Sequence, residues 1–82
     1  MSNERLKYEG RLAVIEKDAR KLKVHLKGLV ESLRDQLDPT EDVRDLNADV
    51  IASQAVEFAA KHTEYIELLA RIKEVNKILG RR

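Results

Sequence analysis

Apolar residues return at alternating intervals of four and three through Tyr8, Leu12, Ile15, Ala19, Leu22, Leu26, Leu29 and Leu33. A second run keeps the same rhythm through Ala48, Ile51, Ala55, Phe58, His62, Tyr65, Leu69, Ile72, Asn76 and Leu79. Such a heptad, with charged residues between the apolar ones, marks α-helices that bury one seam against a partner helix. Between the runs lies LDPTEDV, which holds the only proline. Asp38 suits an N-cap, Pro39 the first helical position, and Glu41 the far side of a capping box. The pattern predicts helix one over about 3–37, a turn over about 37–40 and helix two over about 39–79. Ser2 or Asn3 would cap helix one, and Gly80 would close helix two in the left-handed C′ conformation. Gly10 and Gly28 fall inside helix one, each costing about 1 kcal/mol relative to alanine. They are either tolerated there or mark points of close approach.

A short link makes the two helices antiparallel neighbours. That pairing sets Leu33 opposite Ala48, Leu29 opposite Ile51, Leu26 opposite Ala55 and Leu22 opposite Phe58. It continues with Ala19 to His62, Ile15 to Tyr65, Leu12 to Leu69 and Tyr8 to Ile72. Large side chains face small ones at Leu33–Ala48, Leu26–Ala55 and Ala19–His62, which helps to fill the core. Glu9 would lie near Lys73, Asp18 near Lys61, His25 near Gln54, and Arg5 opposite Asn76.

Helix two carries a second stripe. Ala52, Val56, Ala59, Thr63, Ile66 and Ala70 are also spaced four and three, on an adjacent face. One helix of the same chain cannot cover both faces. An antiparallel copy about a two-fold axis near Lys61 would bring Ala52 to the partner's Ala70, Val56 to Ile66, and Ala59 to Thr63. The same register sets Asp49 near Lys73 and Asp45 near Lys77 across the interface, a self-complementary pattern. The expected fold is therefore all-α: an antiparallel two-helix coiled-coil hairpin that dimerises into a four-helix bundle. The competing arrangement curls this wide apolar face over helix one of the same chain.

Composition narrows the function classes. Apolar residues make up 43% and charged residues 38%, a helical rather than a disordered mixture. Eighty-two residues allow one small domain of marginal core size. A net charge of +1 supplies no global field that would by itself draw nucleic acid or anionic lipid. There is no cysteine, hence no disulfide framework and no thiolate metal site. The opening MSNERLKYEG lacks the apolar core of a signal peptide, and no apolar run is long enough to span a membrane. A cytoplasmic location is expected.

No catalytic motif appears: no nucleophile elbow, phosphate-binding glycine loop or dinucleotide fingerprint. His62 would occupy the core seam, without a second ligand at metal spacing. No catalytic residue, cofactor or metal is expected. Lys17, Arg20, Lys21, Lys23 and Lys27 form a basic run, mostly on the outer side of helix one, with Arg71, Lys77, Arg81 and Arg82 near the other end. Phosphate contacts are one use of such a run, and a solvated face is the other. The acids Asp35, Asp38, Glu41, Asp42, Asp45 and Asp49 gather around the turn, where helix N-termini favour them.

The stretches LRDQLDP, DVIASQAVEFAA and YIELLARIKEVNKILG, between Leu33 and Gly80, resemble the small uncharacterised helical proteins of Mu-like prophages. The resemblance implies a cytoplasmic accessory protein of phage origin and carries no activity over to any residue. The expected function is a non-catalytic, homodimeric interaction protein: an adaptor, scaffold or small regulator. The alternative is a nucleic-acid-binding accessory protein that works through the basic run of helix one.

Overall fold

The computed structural model describes residues 2–80, so Arg81 and Arg82 of the expected basic end lie outside the described residues. Helix α1 runs Ser2–Gln36 and helix α2 runs Ala48–Ile78, with a single 3-10 turn at Val43–Asp45 between them. There are no strands among the described residues. The two helices pack side by side as an antiparallel hairpin, 64 Å long and 19 × 14 Å across. Neither is long and apolar enough to cross a membrane.

Helix α1 forms and ends where its pattern says, with Leu37 still donating to the Leu33 carbonyl at 2.9 Å. Its expected cap does not hold, because Ser2 and Asn3 are already helical. Gly10 and Gly28 have open space where a Cβ would stand, so they are tolerated and are not points of close approach. Gly80 follows the C-cap Leu79 with φ +76°, the left-handed conformation expected of it.

The start of α2 is corrected. Helix two begins at Ala48, not near Pro39. Three short polar side chains compete with helix formation in between. Asp38 accepts from the Thr40 amide at 2.9 Å and from its hydroxyl at 2.7 Å, which closes a local turn. Those two bonds hold the Asp38 carboxyl below its ordinary pKa. Asp42 accepts from the Arg44 amide at 3.0 Å and caps the 3-10 turn. Asn47 then accepts from the Val50 amide at 3.3 Å and caps α2. Val43, 81% exposed, gains no packing that would favour a helix through this stretch.

A later start moves the register. Gln54 was expected near His25. It instead accepts from Ser32 at 3.0 Å and from Gln36 at 2.7 Å, about two and three turns nearer the end of α1. His25 meets Glu57 at 2.7 Å, and Arg5 donates to the Leu79 carbonyl at 3.3 Å, beyond Asn76. Lys61 pairs with Glu64 at 3.7 Å within α2, where Asp18 was the expected partner.

Helix α2 is also rotated. Ile51, Phe58, Tyr65, Ile72 and Leu79 face α1 as expected, but the positions between them are Gln54, Lys61, Leu68 and Val75. Ala48, Ala55, His62 and Leu69 are exposed. Leu68 and Val75 offer α1 more apolar surface than His62 and Asn76 would. Lys61 is tolerated because its stem can lie along apolar surface while the ammonium reaches water.

The resulting core is thin. Leu12, Ile15, Ala19, Leu26 and Leu29 of α1 are buried, together with Leu79 at the far end. No residue between Ala48 and Ile78 is buried. The accessible surface is 6589 Å², whereas a compact protein of this mass exposes about 5,000 Å². The radius of gyration is 18.3 Å, against about 12 Å for a globule of this length.

The cap assignment is directly testable. Asn47→Ala should cost about 1 kcal/mol of folding stability, measured by urea denaturation followed by circular dichroism. Asp38→Ala should leave the helical content of the folded protein unchanged, because Asp38 caps a turn and not a helix.

Candidate functional site

The outward side of α2 carries a continuous run of exposed apolar residues. All six second-stripe residues, Ala52, Val56, Ala59, Thr63, Ile66 and Ala70, are exposed. The rotation of α2 adds Ala55, His62 and Leu69, which sequence reasoning had assigned to the hairpin core. Val56 is 70%, Ile66 49% and Leu69 40% exposed, large values for aliphatic side chains at helical spacing. Scattered exposed aliphatics need no explanation, whereas a contiguous stripe of them does. Thr63 belongs on it despite its hydroxyl, which donates to the Ala59 carbonyl at 3.1 Å and is satisfied within its own helix. The His62 ring stacks on Phe58 with centroids 5.6 Å apart and planes 24° from parallel.

The two flanks of the hairpin differ in chemistry. On the side of Leu69, a groove is lined by Glu16, Ala19, Arg20 and Lys23 from α1 and by Tyr65, Leu69 and Ile72 from α2. On the other side, a polar groove is lined by Asp18, Lys21, Leu22, Glu64, Glu67, Leu68 and Arg71. The basic run of α1 borders both grooves. Arg20 and Lys23 line one groove while Lys21 lines the other beside two glutamates, and all of Lys17, Arg20, Lys21, Lys23 and Lys27 are exposed. At 3.6 residues per turn the five span an arc of about 160° on the half of α1 turned away from its buried seam, so the run lies mostly on the outer side, with its two edges at the grooves.

The charged residues expected at the rim of the second stripe are divided. Asp49 stands in the first turn of α2, and Lys73 and Lys77 stand near its end. Asp45 lies in the 3-10 turn outside α2, so it cannot continue that helix's register toward Lys77. Asp35, Asp38, Glu41 and Asp42 complete an acidic turn end, and Arg5, Lys7, Arg71 and Lys73 give the opposite end a basic character. Among the described residues, no group of three His, Asp or Glu side chains is placed to hold a metal ion.

Comparison with known proteins adds no relative: no family model, curated protein or solved structure matches the chain.

Sequence reasoning missed Ala55, His62 and Leu69 on the open face and Gln54, Lys61, Leu68 and Val75 on the inner one. A signal for the rotation was present. Leu68 and Val75 extend the series Ile51, Phe58, Tyr65, Ile72 and Leu79 as regularly as Leu69 and Asn76 do, and they are more apolar as a pair. The register is held near the turn by the Ser32–Gln54–Gln36 hydrogen bonds. Removing their shared acceptor in Gln54→Ala should cost about 1–2 kcal/mol, read from the urea midpoint.

Proposed function

We propose that this protein is a non-catalytic interaction module, an adaptor, scaffold or small regulator, that acts as a homodimer through the open face of α2. The observation that carries the reading is the absence of any buried residue along Ala48–Ile78, combined with the exposure of Val56, Ile66 and Leu69. The surface exceeds that of a compact chain by roughly 1,600 Å², about twice what one partner contributes to a standard interface. That excess belongs to the whole rod, and it supports the reading by leaving area enough for a cover on this face.

Charge favours a second copy as that cover. One end of the hairpin is acidic through Asp38, Glu41, Asp42 and Asp49, and the other is basic through Arg5, Lys7, Lys73 and Lys77. Two such rods laid antiparallel along α2 set acidic end against basic end at both extremities. Laid parallel, they oppose like charges. The pairing fixes orientation more than affinity. The rim contact that remains is that of Asp49 with the partner's Lys73; the one between Asp45 and Lys77 drops out, because Asp45 lies outside α2. A cytoplasmic accessory protein of phage origin fits this role. Nucleic-acid binding by the basic run is the weaker reading, because Lys21 and Lys23 line opposite grooves.

Sedimentation equilibrium tests the proposal. The mass should approach twice the 9.4 kDa of the chain. Ala59→Glu, which sets a charge in the middle of the face, should return it to one chain, and Lys21→Glu should not. A single-chain mass for the unmodified protein at the highest soluble concentration would overturn the dimer.

A further inference from the structure

We propose that the notch between Arg11 and Arg71 binds a phosphate monoester, with the two guanidinium groups holding the phosphate and the apolar body of the ester lying on Val14 and Ile15. None of the residues lining the notch belongs to the open face of α2, so the inference does not rest on the dimer proposed above.

The notch exists only in the folded hairpin. Gly10, Arg11, Val14 and Ile15 of α1 line it together with Arg71 of α2, and no acidic residue lines it. It lies on the flank of the polar groove, which Arg71 also borders. Ile15 is buried and Val14 is 60% exposed, so the two make an apolar floor open to water. A Cβ at Gly10 would meet nothing within 4 Å. The packing of the hairpin therefore gives no reason for a glycine inside this helix, where it is less favourable than alanine. A side chain there would narrow the notch.

Both guanidinium groups are available to a ligand. Arg11 lies over the Tyr8 ring, 5.6 Å from its centroid. Such stacking occupies the flat face of the guanidinium and leaves its N–H edge for an oxyanion. Among the described residues, neither Arg11 nor Arg71 forms an ion pair; those pairs involve Arg5, His25, Arg34, Arg44 and Lys61.

Neighbouring charges confine an anion to the notch. Beyond Arg71, the polar groove sets Asp18, Glu64 and Glu67 against Lys21. Beyond Arg11, Glu4 and Lys7 balance each other beside Tyr8. Between these regions stand two arginines and no acid. A carboxylate presents two oxygens and one charge, which a single guanidinium fork satisfies. A phosphate monoester presents three terminal oxygens and close to two charges at neutral pH, which suits two forks. The apolar floor favours an ester over inorganic phosphate.

The test is a titration of the nitrogen-15-labelled full chain with phenyl phosphate at pH 7.5 and low salt, followed by amide chemical shifts. Residues around Gly10, Val14 and Arg71 should shift together and saturate. Arg11→Gln and Arg71→Gln should each weaken binding about tenfold, because each removes a charge-assisted pair. Lys27→Gln, the same change of charge elsewhere on α1, should leave the affinity unchanged. Gly10→Leu should fill the notch and remove binding while raising the thermal midpoint, which separates loss of the site from loss of the fold. Absence of saturable shifts in these residues, or an unchanged affinity in both arginine variants, would overturn the site. Benzoate binding as tightly as phenyl phosphate would overturn the phosphate assignment. Inorganic phosphate binding as tightly would overturn the part given to Val14 and Ile15.

Discussion

A hairpin of two helices has one internal interface, and this chain has apolar surface for two. That mismatch governs the rest of the structure. Helix α1 uses a single stripe, and five of its residues on that stripe are buried. Helix α2 divides its apolar residues between an inner series ending in Leu79 and an outer one containing Ala59, Ile66 and Leu69. Because every inward residue from Ile51 to Ile72 is only partly covered, neither side of α2 makes a complete core with α1 alone. Burial scales with how fully water is excluded, so a thin rod gains less from its apolar content than a compact domain does.

The turn decides which half of α2 does what. Asp38, Asp42 and Asn47 each capture a backbone amide two or three residues ahead. The chain thereby spends its acidic stretch on turns and begins α2 at the first alanine of the apolar run. This later start slides α2 along α1 and turns it. His62 and Leu69 leave the hairpin core as Leu68 and Val75 enter it. The polar cluster of Ser32, Gln36 and Gln54 fixes that arrangement beside the turn. A local choice of cap thus sets which residues are available to another chain.

Helix number, helix type and the inner face of α1 were legible in the sequence because they depend on periodicity alone. The break around Asp38 and Pro39 was legible as well, but the length of the connection was not. Asp38 and Asn47 are both good N-caps, and choosing between them depends on whether Val43 finds a neighbour to pack against. The rotation of α2 was ambiguous for a related reason: Leu68 with Val75 and Leu69 with Asn76 both satisfy a three-four repeat. The second stripe survived these errors, since Ala52, Val56, Ala59 and Ile66 are exposed in either setting.

The central claim is that the open face of α2 is covered by a second chain and that folding depends on it. The most direct measurement is the thermal midpoint of the unmodified protein across a hundredfold range of concentration. Folding coupled to dimerisation predicts a midpoint that rises by roughly 5–10 °C over that range. A midpoint independent of concentration, for a protein that sediments as one chain throughout, would contradict the account.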